Sequence, residues 1–260
     1  MSRTRRPTRE RLIESARFLF WSRGYAGTSM AELLAHAEVN SGSFYHFFDS
    51  KEGLLRAVLE EYLVLLRPMI VNPAFAKVKE PLGRIFAIMD GYRRGILASN
   101  CTYGCPLGRL ALEIDPENAP AHALIARNFE GWIEAVRECL TAMKRQLPKQ
   151  VDLDALATYV LAVMEGGVML SRSYRSVEPF DRAVDQLREH FRLLVRTNAE
   201  RDASPASMPS GSSSKHSVTK RSKVPRAAVK RIPGKKDRSA YVIPLEAPPP
   251  DSHAPPVSPE

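Results

Sequence analysis

Apolar residues recur three and four positions apart through most of residues 8–198, and no stretch alternates apolar with polar over the length of a strand. The pattern predicts an all-α protein. Thr8 follows Pro7 and suits an N-cap; Leu12, Ile13, Ala16, Leu19 and Phe20 then form one stripe, and Gly24 can close the helix in the left-handed conformation. Thr28 or Ser29 can cap a short second helix, "MAELLAHA". A turn at 37–40 leads to a third, "SGSFYHFF", and Asp49 and Ser50 cap a fourth. That fourth helix turns Leu54, Leu55, Val58, Leu59, Tyr62 and Leu66 inward, with Pro68 just past its end.

Beyond it, Pro73 and Pro81 are expected to bracket a loop, after which helical periodicity resumes at about 82–98, 106–114, 119–146, 152–174 and 180–197. The last of these carries Phe180, Val184, Leu187, Phe191 and Leu194 on one seam, which requires a partner surface. The helix before it is apolar on most of its circumference and contains Gly166-Gly167, where backbones can approach closely. It calls for neighbours on two sides: its own domain on one, a second copy of the chain on the other.

Charge changes the picture at the ends. The 260 residues carry a net charge of +9, but residues 201–260 hold 11 Lys+Arg against 5 Asp+Glu, and 11 of the 20 prolines. Residues 199–260 are expected to be a disordered basic tail, attracted to DNA phosphate without sequence preference. Arg3, Arg5, Arg6, Arg9 and Arg11 make the other end basic, with residues 1–7 as a short arm. Three cysteines suit a reducing cytoplasm. The charged segment after the first arginines is not expected to act as a signal peptide, and the longest apolar run, Ala155–Met164, is shorter than a bilayer requires. A cytoplasmic, nucleoid-associated protein without a membrane partner is expected.

Candidate chemistry concentrates in "VNSGSFYHFFDSKEG". The two short helices before and within it, joined by a three- to four-residue turn, have helix-turn-helix dimensions over about 29–47. Leu33, Ala37, Val39, Phe44 and one of Phe47 and Phe48 fall where inward residues must hold two steeply crossed helices. Ser41, Ser43, Tyr45 and His46 then face outward, with hydroxyls and a ring nitrogen suited to phosphate oxygens and base edges in a major groove. Lys51 opens the next helix, where its ammonium and the backbone N–H groups could hold one phosphate.

"GYAGTSMAELLAHAEVNSGSFYHFFDSKEGLL" resembles the DNA-binding domain of TetR/AcrR-type transcriptional regulators over about residues 8–68, through Gly24-Tyr25, Thr28-Ser29, "FYHFF" and "SKEGLL". The resemblance implies phosphate contacts at Thr28, Ser29, Tyr45 and Lys51, and base or groove contacts at Ser41, Ser43, His46 and Phe47. It implies an N-terminal three-helix helix-turn-helix domain, then a helical effector-binding and dimerisation domain over 69–198. Glu38 stands where the family usually has glycine, Leu34 where it has alanine, and Ser41 where many members have lysine. The partners implied are a double-stranded DNA operator, a second copy in a homodimer, and a small hydrophobic or electrophilic effector.

Cys101 and Cys105 bracket Tyr103 at the start of a helix, and the segment resembles the sensor region of electrophile-responsive family members. A helix N-terminus and Arg109 would lower the Cys105 thiol pKa. Phe86, Met89, Tyr92, Phe129, Trp132, Tyr159, Met164 and Met169 could contribute to an apolar effector cavity, Phe86 and Trp132 foremost. No cofactor is expected, and no metal, because His122 is the only histidine near the two cysteines. The protein is read as a regulator, most simply a repressor, and not an enzyme. Two alternatives stand beside it: a cysteine-dependent enzyme using Cys105 with His122 as base, and an architectural DNA-binding protein without an effector.

Overall fold

A computed structural model describes residues 6–203, with side chains through Asn198. The expected basic tail and most of the N-terminal arm, including Arg3 and Arg5, lie outside the described residues. Within them the chain forms ten α-helices: α1 Thr8–Ser22, α2 Met30–Ala37, α3 Ser41–Phe47, α4 Lys51–Leu66, α5 Asn72–Lys77, α6 Pro81–Ala98, α7 Pro106–Glu113, α8 Ala119–Ala142, α9 Leu153–Tyr174 and α10 Glu178–Ala203.

Local chemistry starts most of them. Ser29 and Glu32 form a reciprocal capping box on α2, in which Ser29 Oγ accepts from the Glu32 amide and the Glu32 carboxylate accepts from the Ser29 amide. Asn40 caps α3 and Ser50 caps α4, each accepting from the amide three residues on. The cap of α1 is Pro7 rather than Thr8, which is already helical. Gly24 has φ +91°, the expected left-handed closure beyond α1.

The loop expected between Pro73 and Pro81 is helical through Lys77, which leaves only residues 78–80 outside a helix. Arg67–Val71 form a π-turn that runs directly into α5. Leu66 and Val71 before these segments are right-handed helical, so Pro68 and Pro73 stand within one continuous helical run, and the π-turn is where the ladder shifts around the amides they lack.

α1 packs against α2, α3 and α4 around Leu12, Ala16, Phe20, Leu33, Phe44, Leu54 and Leu55, all fully buried. α4 then continues onto α8, so one helix belongs to both the small N-terminal bundle and the larger one. In the larger bundle the predicted seam of α10 is covered by α9: Phe180, Val184, Leu187 and Phe191 are buried. The Gly166-Gly167 pair divides its work. A Cβ on Gly167 would lie 2.9 Å from the Phe180 ring, so this glycine permits α10 to approach; a Cβ on Gly166 would meet nothing within 4 Å. By length and composition the 22-residue α9 could cross a bilayer, but Val160, Leu161, Met164 and Val168 are buried against the protein's own helices.

Candidate DNA-reading face and effector cavity

The turn between α2 and α3 places Glu38 at φ +54°, ψ +46°, the left-handed conformation that favours glycine. A side chain there costs about 1 kcal/mol. The turn is held all the same: Val39 N–H donates to Leu34 O, and Arg11 Nη1 reaches Glu38 O at 3.3 Å.

Burial then sorts α3 by face. Phe44 is wholly inside and Phe48 nearly so, whereas Phe47 lies outside, which resolves the Phe47/Phe48 alternative. Tyr45 is 63% exposed, and Ser41, His46 and Phe47 are exposed with it, while Ser43 is half-buried. Tyr45 leans edge-on against Phe44, and His46 edge-on against Phe47, so the outward rings are oriented by their neighbours. Arg9 projects from α1 over the Phe48 ring at 5.5 Å, bringing a cation beside α3.

The remaining contacts inherited from the resemblance fare differently. Thr28 is 1% exposed and its hydroxyl donates to Gly24 O at 2.7 Å, so its side chain stabilises the α1–α2 connection and is withdrawn from any phosphate. Ser29 is exposed, but its hydroxyl is bound within the capping box. Lys51 is half-buried: its ammonium donates to Tyr25 O at 2.6 Å and sits 4.3 Å from the Tyr25 ring centre. Partial burial lowers its pKa, against the attraction of Glu113 and Glu32.

Tyr25 belongs to a bracket that ties the N-terminal bundle to α7. The Arg109 guanidinium donates to Trp21 O at 3.2 Å, Ser22 O at 3.0 Å and Arg23 O at 2.7 Å, capping the C-terminus of α1. Its Nε pairs with Glu113 at 2.6 Å, and Glu113 accepts the Tyr25 N–H at 2.7 Å. Arg109 is therefore committed to carbonyls and a carboxylate, not to Cys105 as expected.

Cys105 itself overturns the expectation of a reactive thiol. It caps α7, with Sγ 3.5 Å from the Gly108 amide, yet only 6% of the residue is exposed. Burial first, and the Glu165 carboxyl beside it second, push the thiol well above its ordinary value. The helix N-terminus works in the opposite direction and loses, because a thiolate here would have almost no water and an acidic neighbour. Glu165 is raised as well, chiefly by burial. His122, the base that an enzyme reading assigns to Cys105, instead places Nε2 3.1 Å from Asp115 O. Cys101 and Cys139 are likewise buried free thiols. Among the described residues no three His, Cys, Asp or Glu side chains gather as metal ligands.

The chemistry of this region lies in a cavity of about 420 Å³ enclosed by α1, α4, α6, α8 and the segment before α7. Tyr103, Cys105 and Trp132 line it, as does Tyr92, which stacks edge-on to Trp132. Phe86 and Cys101 do not. Phe86 packs on Phe191 beneath the Arg188 guanidinium, and Cys101 is folded into a left-handed turn with φ +56°. Of the other aromatics and methionines considered, Tyr159 and Met169 face outward from α9 instead.

Residues passed over in the sequence complete the wall: Trp21, whose indole donates to Gly104 O at 2.7 Å and tilts onto Tyr103, together with Tyr62 and Asn128. Asn128 was detectable as the polar residue on an inward stripe of Ile125, Asn128 and Trp132; Trp21 carried no such signal.

Residues 12–58 match the family model of bacterial regulatory proteins, tetR family, and residues 81–186 match that of the transcriptional regulator LmrA/YxaF-like C-terminal domain. The HTH-type transcriptional repressor DhaR of Mycobacterium sp. (strain GP1) is 30% identical over 183 residues, covering 70% of this chain and 89% of DhaR. The HTH-type transcriptional repressor NemR of Escherichia coli (strain K12) is 28% identical over 205 residues, covering 75% and 98%. The crystal structure of reduced E. coli NemR superposes with a TM-score of 0.62 at 25% identity, covering 72% of this chain and 97% of that one. A regulatory protein TetR from Rhodobacter sphaeroides has the same fold, with a TM-score of 0.64 at 23% identity, covering 70% and 97%. Two helices crossed through Leu33 and Phe44, an outward face of hydroxyls and imidazole, and an all-helical body behind them thus meet matches to both halves of the chain: it belongs to the TetR family of DNA-binding transcriptional regulators.

Proposed function

We propose that the protein is a ligand-responsive repressor that reads a near-palindromic operator as a homodimer. The observation that carries the reading is the outward side of α3, where Ser41, Tyr45, His46 and Phe47 stand exposed over a buried Phe44. Ser41, Ser43, His46 and Phe47 meet base edges or the groove wall; Tyr45 and Lys51 hold phosphates, with Ser29 beside them.

The second copy is supported by α9. Tyr159, Ala162, Gly166, Met169, Leu170 and Tyr174 recur at helical spacing on its outer side, and all but the half-buried Gly166 are exposed, as is Leu193 on α10. Such a stripe is larger than a lone apolar side chain and is the kind of surface that self-association covers. The cavity is the effector site, and α4, shared between the two bundles, carries its state to the reading heads. A ligand that prefers the DNA-incompetent arrangement needs a coupling of only about 1–3 kcal/mol. Because Cys105 is buried and protonated, the effector is a reversible ligand rather than an electrophile.

The test is selection of bound duplexes from random sequence, followed by titration of variants. Lys51→Ala is expected to weaken binding to all sequences alike, and His46→Ala to change the preferred sequence. Near-equal affinity for selected and random duplexes would instead favour an architectural DNA-binding protein.

A further inference from the structure

Asn128 is 2% exposed, lies in the wall of the cavity, and spends both amide hydrogens on backbone: Nδ2 donates to Leu59 O of α4 at 3.0 Å and to Leu124 O of its own helix at 2.9 Å. Both neighbours are carbonyls, which fixes the amide's orientation. Its Oδ1, which can only accept, receives no hydrogen bond from any described group. Unlike Ser15 Oγ, Glu165 Oε1 and Ser171 Oγ, it is not sealed from solvent, and its residue lines the cavity, so it can accept an N–H or O–H that a ligand brings.

The rest of the wall restricts the ligand's charge. Trp21, Leu66, Ile88, Ile96, Leu107 and Trp132 supply flat or branched apolar surface. Tyr62 and Tyr92 stay protonated, their pKa values raised chiefly by burial, and their hydroxyls can give or take a hydrogen bond. The charged lining residues, Lys77, Asp90 and Arg94, are exposed and so belong to the opening, not to the interior.

The geometry points to Asn128 as the specificity-determining contact of the cavity, whose ligand is an uncharged, largely aromatic molecule presenting one O–H or N–H to Asn128 Oδ1. The inference rests on the reading of the cavity as an effector site. It also places the polar contact on the side chain that holds α4 through Leu59, so the donor is read beside the helix shared with the reading head.

Three probes of one shape test it by calorimetry on the full chain: 9-phenanthrol, 9-methoxyphenanthrene and phenanthrene-9-carboxylate. The phenol is expected to bind about tenfold more tightly than the methyl ether, which leaves the acceptor unpaired, and more tightly still than the carboxylate. In Asn128→Ala the phenol–ether ratio is expected to fall below about threefold. Should that variant fail to fold, the ratio in the parent protein decides alone. Equal binding of phenol and ether, tighter binding of the carboxylate, or no binding of any probe would overturn the assignment. Adding 9-phenanthrol to the complex with a selected duplex separates the two readings. Preferential binding that leaves the DNA bound would uphold the Asn128 contact and count against ligand-responsive repression. Sequence-specific DNA binding with no probe preference would do the reverse.

Discussion

Replacing Arg109 with leucine removes a single side chain that closes α1, holds α7 and orients Glu113. The guanidinium meets three carbonyls, of Trp21, Ser22 and Arg23, and one carboxylate, with side-chain exposures of 19% for Arg109 and 24% for Glu113. A cation at a partly buried helix C-terminus contributes up to about 2 kcal/mol. The ion pair adds up to about 1 kcal/mol, since both partners keep some contact with water. Those contributions share one guanidinium and do not add in full, so a loss of about 1–2 kcal/mol is expected. For a folded region of this size that lowers Tm by roughly 2–8 °C.

Thermal unfolding by calorimetry, with tryptophan fluorescence alongside, measures the loss; Trp21 is one of the two tryptophans and gives Arg109 one of its carbonyls. Arg109→Lys keeps the charge but not the fork, and should fall between parent and leucine variant. Glu113→Gln combined with Arg109→Leu should lose less than the sum of the single changes, because each already breaks the same pair. A leucine variant within about 0.5 kcal/mol of the parent would refute the bracket, placing it among ordinary surface substitutions.

Three further outcomes follow from buried groups and the exposed stripe. Glu165 has a folded-state pKa above its ordinary 4.5, so its proton is held more tightly in the native state and stability falls as pH rises from about that value through the raised one. Glu165→Gln should therefore gain Tm relative to the parent as pH goes from 5 to 8 in calorimetric scans, and a constant difference would show that the carboxyl titrates normally. Cys105 should be alkylated by iodoacetamide at least about tenfold more slowly in the native protein than in urea, as expected for a protonated thiol reached only through the cavity; equal rates by mass spectrometry would restore the activated cysteine. Met169→Glu with Leu170→Glu puts two charges on the outer side of α9 and should convert a dimer into a monomer in sedimentation, while an unchanged mass would move the dimer interface elsewhere.

Much of the fold was legible because helix period and capping are local. Ser29, Asn40 and Ser50 act on amides three residues away, and the inward stripes of α1, α4 and α10 need only a 3.6-residue repeat to declare themselves. Prolines misled in one region: Pro68 and Pro73 read as breakers, yet the run stays helical through both, with a π-turn at Arg67–Val71 that the apolar pattern does not announce. The seam of α10 was visible, but not that α9 of the same chain would cover it, leaving the outer stripe of α9 exposed.

By itself the sequence determined nine of the ten helices in outline, α5 being the one it missed, together with the crossed pair at residues 30–47 and an outward set that includes Tyr45 and His46. Each follows from the chain's own periodicity and from side chains acting on nearby backbone. Only the tertiary structure decided that Thr28 is sealed, that Cys105 is a protonated thiol beside Glu165, that Arg109 serves α1, and that Asn128 faces a cavity while Phe86 does not. Those properties depend on elements brought together from distant parts of the chain, such as Trp21 with Gly104 or Leu59 with Asn128. Desolvation and hydrogen-bond geometry are set by these neighbours, and no spacing along a sequence encodes them.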